Sequence, residues 1–195
     1  MQGGFFGAIL LPTSLLSQSL IPNYQPISGE ERAKWFVRST AGFESLALAG
    51  PISAGWGTLW NHPQEYGTHW DGFGKRYGMR LTGVSTGNAM EASLGAIWGE
   101  DPRYFRSVDR AFGARVKHIF RNTLMAPDRG GRWRPAYARY AALAGNNFLS
   151  NTWRAESEAK ASSAVTRTLV GFLGDLGSNA YTEFWPDIKR KIFKK

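Results

Sequence analysis

Apolar residues recur along this chain at helical spacing, and no run of any length shows the strict alternation that marks a β-strand. Ser28 and Glu31 form a capping box, so a helix is predicted to begin there and to run through Val37. Further helical runs are predicted over residues 44–60, 77–98, 109–125, 135–153 and 158–185. Pro51 predicts a kink in the second run, and Pro102 ends the third. The pattern predicts an all-α fold, a closely packed bundle of four to six helices.

One of these runs carries a regular stripe of small side chains. From residue 78 to residue 99 they are spaced alternately four and three positions apart, so they share one helical face. The stripe consists of Gly78, Thr82, Ser85, Ala89, Ala92, Ala96 and Gly99. Small side chains allow two helix backbones to come close together. We therefore expect this stripe to be a packing face of the bundle.

The chain divides into a short apolar N-terminal segment and a longer helical part. Its 195 residues are enough for one domain with its own core. Residues 5–11 and 15–21 are apolar, which is typical of a signal peptide, although Pro12 interrupts them and no basic residue precedes them. An export signal, a retained anchor or an ordinary apolar arm would each fit residues 1–27, which end in a linker. Residues 28–195 are predicted to form a single helical domain.

The composition excludes cysteine-dependent sites and indicates an anionic partner. There is no cysteine, which excludes disulfides, thiolate metal sites and cysteine nucleophiles. The net charge of +9 favours a partner such as nucleic acid or an acidic lipid or polymer surface. A basic stretch interleaved with aromatic residues and a basic tail are the expected contacts. They contain Arg103, Arg106, Arg110, Arg115, Lys117, Arg121, Arg132, Arg134, Lys189, Arg190 and Lys191.

Four helical runs end at a tryptophan, as the helices of membrane proteins often do: Trp60, Trp98, Trp153 and Trp185. If these runs crossed a bilayer in alternation, 17 Lys and Arg would lie on one side and 4 on the other. Charged residues within the runs oppose full crossing, because each costs about 2.5–3.5 kcal/mol at mid-bilayer. The mean hydropathy of −0.33 is also low. A bundle partly embedded in a membrane, or lying against a membrane or a partner, satisfies these observations better.

Polar residues inside the helical runs form pairs that share a helical face, and each pair follows a glycine. If the helices pack closely, we expect these side chains to form an internal hydrogen-bonded network. The pairs are Asn88 with Glu91, Asn147 with Asn151, and Asn179 with Glu183. Helix-to-helix contacts, a solvent-facing surface and a functional pocket are the three interpretations that the sequence leaves open.

Candidate catalytic and metal-binding residues are few. His62 and His69, with nearby carboxylates, are weak candidates for a metal site, but their spacing matches no zinc motif. His69, Asp71 and Glu91 are the acid–base candidates if the protein is an enzyme. The glycines of residues 72–78 do not have the spacing of a phosphate-binding loop. The sequence thus predicts neither a bound metal nor a cofactor.

Several segments resemble a family of small, uncharacterised bacterial proteins. They include WFVRSTAGFESL, EYGTHWDGFGKRYGMRLTG, EASLGAIWGEDPRYF, NNFLSNTWRAESEA and SNAYTEFWPDIKR, and together they extend over most of the chain from about residue 31. Members of that family typically look exported, so the resemblance implies export. It implies no activity and therefore assigns no catalytic residue.

The leading hypothesis is a non-enzymatic, membrane-associated protein of the cell envelope, a structural or accessory subunit of a larger assembly. Its expected partners are an anionic lipid surface and other protein subunits or further copies of the chain. One alternative is an enzyme acting on an envelope lipid or polymer, which requires His69, Asp71 and Glu91 to converge in one cleft. The other is a nucleic-acid-binding protein that uses residues 103–134, with affinity that falls steeply as salt rises.

Overall fold

The computed structural model describes residue 21 and residues 23–193. Six α-helices and one short hairpin lie within them. The helices are α1 (Gly29–Ala41), α2 (Gly50–Leu59), α3 (Trp70–Trp98), α4 (Phe112–Leu124), α5 (Tyr137–Leu149) and α6 (Ala161–Phe193). The antiparallel strands are β1 (Met125–Pro127) and β2 (Trp133–Pro135). The predicted all-α bundle is confirmed, and nearly all of the predicted signal-like segment, residues 1–27, lies outside the described residues.

The first helix begins where the sequence predicts it to begin. The Ser28 hydroxyl accepts the N–H of Glu31 at 3.2 Å, and the Glu31 carboxylate accepts the N–H of Ser28 at 2.8 Å. Pro51, where a kink is predicted, lies in the first turn of α2, directly after a π-helical turn whose last residue, Ala49, has helical backbone angles. The break comes earlier, at Gly42, whose backbone is extended. A π-helical turn, Glu44–Ala49, then leads into α2.

Helix α3 is the centre of the bundle, with α1 and α2 along one side and α5 along the other. Helix α1 runs antiparallel to α3, since Arg32 contacts Ala92 and Thr40 contacts Asn88. Helix α5 is antiparallel to α3 as well, since Arg139 contacts Glu91 and Asn146 contacts Gly83. Helix α6 lies antiparallel to α5, and α4 packs against the C-terminal half of α6. The order across the bundle is therefore α2, α3, α5 and α6.

This arrangement produces two different ends. At one of them, which we call the basic end, the segment after α3 meets the start of α5: the Glu100 carboxylate accepts the N–H of Ala138 at 2.9 Å. At the other, the loop end, residues 60–69 meet residues 150–160: the Glu65 carboxylate accepts the N–H and hydroxyl of Ser157 at 3.1 and 3.0 Å. Segment 99–111, the hairpin and the end of α6 all lie at the basic end.

The core is built of small and polar side chains. Six of the seven apolar residues that are buried in the described part of the chain are alanines, and the seventh is Ile119. Fully or nearly fully buried polar residues include Arg76, Asp101, Arg139 and Glu183. Small residues bring the helices close together, and charged groups then fill the space between them with hydrogen bonds. No helix within the described residues has both the length and the apolar character needed to cross a bilayer.

The face on which α3 packs is not the predicted one. Gly78, Thr82, Ala89 and Ala96 are exposed, and a methyl group added at Gly78 would meet no atom within 4 Å. The remaining members of the stripe, Ser85, Ala92 and Gly99, are only partly buried.

The close approaches of α3 involve other glycines. A Cβ at Gly87 would lie 3.1 Å from the amide nitrogen of Asn146, and one at Gly95 would lie 2.7 Å from an Arg32 nitrogen. The reason is that the polar side chains of α3 must reach partners on α1 and α5. Those bonds select the inner face, whereas small side chains are tolerated on either face.

Candidate functional site

The most enclosed carboxylate in the described part of the chain belongs to Glu183 on α6, whose exposed fraction is 0%. It accepts hydrogen bonds from Arg115 Nε at 2.7 Å, from the Tyr104 hydroxyl at 2.9 Å and from the Ser107 N–H at 3.1 Å. Arg115, on α4, also contacts Asp187 at 2.7 Å. Glu183 therefore fastens α4 and the segment that precedes it to α6.

The electrostatics of this cluster favour the charged carboxylate. Burial alone would raise the pKa of Glu183, but hydrogen bonds from Arg115, Ser107 and Tyr104 outweigh it and lower the pKa below its ordinary value. Burial, followed by the hydrogen bond to Glu183, raises the pKa of the Tyr104 phenol. The cluster is thus a fixed ion pair with a phenol that stays protonated.

A second cluster is built on the sequence GEDPRYF at the basic end. Asp101 is 1% exposed and accepts from Arg103 Nη2 at 2.7 Å and from the Tyr24 hydroxyl at 3.1 Å. Arg103 also contacts Glu31 of α1 at 3.1 Å. Next to it, Arg32 of α1 donates to the Glu100 carbonyl at 2.8 Å. Together with the bond from the Ala138 N–H to the Glu100 carboxylate, these bonds tie α1 and α5 to the segment that follows α3, so the motif is explained by its role in holding the fold together.

A third cluster lies between α3, α5 and α6. Arg139 contacts Glu91 at 3.0 Å and donates to the Thr123 carbonyl at 3.0 Å. Burial alone would lower the pKa of Arg139, but Glu91 and Asp175 outweigh it and raise the pKa. Burial raises the pKa of Asp175 to about 6, although Arg139 acts in the opposite direction. One arginine thus faces two carboxyl groups, of which Asp175 is the more weakly acidic.

Arginines also organise the loop end, where their partners are largely backbone carbonyls. Arg76, which is 6% exposed, donates to the carbonyls of His62, Pro63 and Gly67 at 2.9, 2.7 and 2.6 Å. Arg167 donates to the Asn147 carbonyl at 3.0 Å. A guanidinium group has five N–H donors, which suits it to collecting the carbonyls of a folded loop.

Five of the six side chains in the predicted polar network contact another segment, whereas the Asn147 amide bonds the Leu143 carbonyl of its own helix, and the six fall into separate clusters. Asn88 donates to Thr40 of α1 at 3.1 Å, and Asn179 donates to Thr123 of α4 at 3.0 Å. Glu91 and Glu183 have the arginine partners described above. Asn147 and Asn151 both accept from Arg167. Arg139 and Arg167, at the centres of two of these clusters, were not predicted as partners, because charges within the helical runs had been weighed only as a cost of crossing a bilayer.

The structure separates the acid–base candidates. His69 and Asp71 are exposed at the start of α3, and Asp71 contacts Lys75 at 3.7 Å. Glu91 lies twenty residues further along the same helix, about 30 Å away, and is bound to Arg139. His62 lies 3.5 Å from Glu158. No group of three possible metal ligands occurs in the described residues.

Two predicted surface arginines turn inward, which corrects part of the expected anionic surface. Arg103 and Arg115 are held by Asp101 and Glu183, acidic residues that the sequence analysis had not paired with them. Arg132 and Arg134 contact Asp128 at 3.2 and 3.0 Å, and Arg190 contacts Asp187. Arg121 is partly buried. Arg132, Arg134 and Arg190 are nevertheless exposed, as are Arg106, Arg110, Lys117, Lys189 and Lys191.

Large apolar side chains lie on the outside of the bundle. We define the outer apolar belt as the exposed apolar residues of two outer segments of the bundle, residues 48–60 and the first half of α6: Leu48, Ile52, Trp56, Leu59, Trp60, Val165, Leu169, Val170 and Leu173. Most of them are spaced three or four residues apart and so share a helical face, and Trp60 and Val170 each directly follow another member. Their exposed fractions reach 81% at Leu59 and 66% at Leu173. Helical periodicity in the sequence identifies an apolar helix face but does not show whether that face lies towards the core or towards solvent.

Among known proteins, no protein-family model, no curated protein and no solved structure matches the chain.

Proposed function

We propose that this chain is a membrane-associated protein of the cell envelope, with a structural or accessory role rather than a catalytic one. The observation that carries the proposal is the inverted distribution of side chains, with ion pairs and alanines inside and large apolar residues outside. In water this arrangement is unfavourable, because each large apolar side chain loses about 1.5–3 kcal/mol by remaining exposed. Lipid acyl chains would cover such a surface.

The position of the outer apolar belt agrees with a membrane surface. The belt lies on residues 48–60 and on the first half of α6, whereas the exposed Arg110, Lys117 and Lys189 lie on the segment before α4, on α4 and on the last turns of α6. Apolar side chains that enter the acyl region, next to basic side chains at the level of the headgroups, are the general arrangement of proteins that lie in a membrane interface. Several apolar residues share one face, such as Ile52, Trp56 and Leu59, and their contributions to the free energy of membrane binding would add.

The absence of a converging acid–base set in the described residues supports a non-catalytic role over the enzyme alternative. His69 and Asp71 lie at the loop end of α3, far from Glu91. The carboxylates that are buried, such as Glu183, are occupied by hydrogen bonds that hold helices together. Chemistry on a substrate needs a nucleophile or base within hydrogen-bonding reach of one reacting atom.

The test is flotation of the purified chain with vesicles of neutral phosphatidylcholine. We expect the wild type to float, and the triple variant Ile52→Gln, Trp56→Gln, Leu59→Gln to lose binding by about a thousandfold, from roughly 1.5 kcal/mol per side chain. These side chains are 65–81% exposed, so the free energy of unfolding should change little. Neutral lipid is chosen because it separates the apolar contribution from the charges.

A control variant carries Val37→Gln and Val108→Gln, which change exposed apolar residues outside the belt. Val37 shares the charged side of α1 with Lys34 and Arg38. The control should float as the wild type does. Wild-type protein that stays in the soluble fraction, or equal losses for both variants, would contradict the proposal. Salt-sensitive binding of single-stranded DNA by the same soluble protein would favour the nucleic-acid alternative.

A further inference from the structure

Four basic side chains come together in one groove at the basic end. The groove lies between the segment before α4 and the last turns of α6, is open to solvent and has a volume of about 700 Å³. Its lining consists of Arg106, Arg110, Pro186, Lys189, Arg190 and Phe193. The two walls come from segments almost eighty residues apart in sequence, so only the fold brings these cations together.

None of the described residues that line the groove is acidic. Of the two acidic residues nearby on α6, Glu183 is fully buried, whereas Asp187 contacts Arg115 at 2.7 Å and also pairs with Arg190 of the groove. The other three cations of the groove, Arg106, Arg110 and Lys189, repel one another, and part of that repulsion is relieved when an anion enters. The electrostatics therefore favour a compact anion with more than one oxygen, such as a phosphate group.

The groove is held open by the cluster around Glu183. The Ser107 N–H donates to the Glu183 carboxylate at 3.1 Å, and Arg106 donates to the Glu183 carbonyl at 3.0 Å. Arg190 is held on its own helix by Asp187. These bonds fix the two walls relative to each other before any ligand arrives, so a ligand would not have to order them.

Apolar side chains lie beside the cations. Phe193 is 71% exposed and lines the groove with Pro186, and the neighbouring Ile192 is 62% exposed. A guanidinium group matches two phosphate oxygens at once, and an apolar neighbour matches the glycerol and acyl part of a lipid. This combination fits an amphiphilic phosphodiester better than a free phosphate or a nucleic-acid backbone.

We propose that this groove binds the phosphate of an anionic phospholipid, with Arg106, Arg110 and Lys189 as its cationic contacts and Phe193 against the glycerol. The inference rests on the proposed function, since it names the lipid class that a membrane-associated chain would select. It is also testable without a membrane. A short-chain phosphatidylglycerol below its critical micelle concentration is a soluble probe of the groove alone.

The experiment is calorimetric titration of the full chain with dihexanoyl-phosphatidylglycerol, using dihexanoyl-phosphatidylcholine as the neutral probe. The test variant is Arg110→Gln with Lys189→Gln, because both side chains are exposed and their loss leaves the Glu183 cluster intact. The control is Lys117→Gln with Lys160→Gln, which removes the same net charge from exposed sites outside the groove. Thermal unfolding of both variants checks that each remains folded.

We expect the wild type to prefer the anionic probe, and the test variant to lose about thirtyfold in affinity, which corresponds to roughly 1 kcal/mol per basic residue. The control should lose less than about threefold. Equal losses in the two variants would mean that net charge alone determines the affinity. If the wild type does not prefer the anionic probe, the proposed site is overturned. Displacement of the lipid by equimolar single-stranded DNA would assign the groove to nucleic acid and would also overturn it.

The same variants separate this inference from the proposed function. Wild-type binding to neutral vesicles without any preference for the anionic probe would overturn the groove and leave membrane association standing. Binding of the soluble anionic probe without flotation on any vesicle would overturn membrane association and leave the anion site.

Discussion

Replacing Glu183 by glutamine should destabilise the protein by about 3 kcal/mol. The substitution keeps the shape of the side chain but removes the charge opposite Arg115 and turns one acceptor oxygen into a donor. Three donors reach the native carboxylate, at 2.7, 2.9 and 3.1 Å, and the glutamine oxygen cannot satisfy all of them. A hydrogen bond between charged groups contributes about 1.5–3 kcal/mol, and a broken buried ion pair costs about 3–5 kcal/mol. Because Arg115 retains its ion pair with Asp187 in the variant, we expect a loss at the lower end of the range for a broken buried ion pair.

The assay is urea unfolding followed by tryptophan fluorescence, with thermal unfolding as a second probe. For a chain of this size, about 3 kcal/mol corresponds to a fall in Tm of roughly 6–12 °C. Glu156→Gln is the matched control, because Glu156 is exposed, and its effect should stay within about 0.5 kcal/mol. A loss below about 1 kcal/mol for Glu183→Gln would refute the reasoning.

The pH dependence of stability is a second readout of the same substitution. The pKa of Glu183 is lowered in the folded chain, so its contribution is present above the unfolded pKa, near 4.5, and is lost as the pH falls through the folded value. The Gln variant should therefore differ most from the wild type at neutral pH and should approach it below about pH 4. A difference that is the same at pH 3 and pH 7 would mean that shape, and not charge, is responsible.

Two further predictions concern the bundle itself. Gly72→Ala should destabilise the protein by more than about 2 kcal/mol, because the added Cβ would lie 2.4 and 2.5 Å from the backbone oxygens of Tyr66 and Gly67. Gly78→Ala, at an open position of the same helix, should instead stabilise it by up to about 1 kcal/mol. Urea unfolding of both variants checks this pair. Asp175→Asn should make the protein more stable at pH 8 and not at pH 4. Burial raises the pKa of Asp175 to about 6, so its contribution is present below the unfolded pKa and is lost as the pH rises from about 4 to 6, by up to about 3 kcal/mol. If the unfolding midpoints of the wild type and the Asp175→Asn variant changed in parallel across this pH range, the prediction would be contradicted.

Local signals in the sequence determined the helices and the fold class. The Ser28–Glu31 capping box begins α1 as predicted, because both of its bonds form within four residues. The end of α3 before Pro102 is local as well. The hairpin of residues 125–135 was not predicted, since strands of three residues carry no measurable alternation.

Which side chains lie inside was decided only by the tertiary structure. The stripe that includes Gly78 and Ala89 follows a regular spacing, yet α3 turns it outward, because Asn88 and Glu91 must reach Thr40 and Arg139 on two different helices. No local pattern contains that requirement, since the partners lie 48 residues away in opposite directions along the chain.

The same limit applies to the charges. The sequence determined that the chain is basic and that its basic residues are concentrated in residues 103–134 and in the tail. It could not show that Arg103 and Arg115 serve the interior while Arg106 and Lys189 line one groove. Arg115 is internal because a carboxylate of another helix, Glu183, faces it, and that contact depends on how α4 and α6 pack.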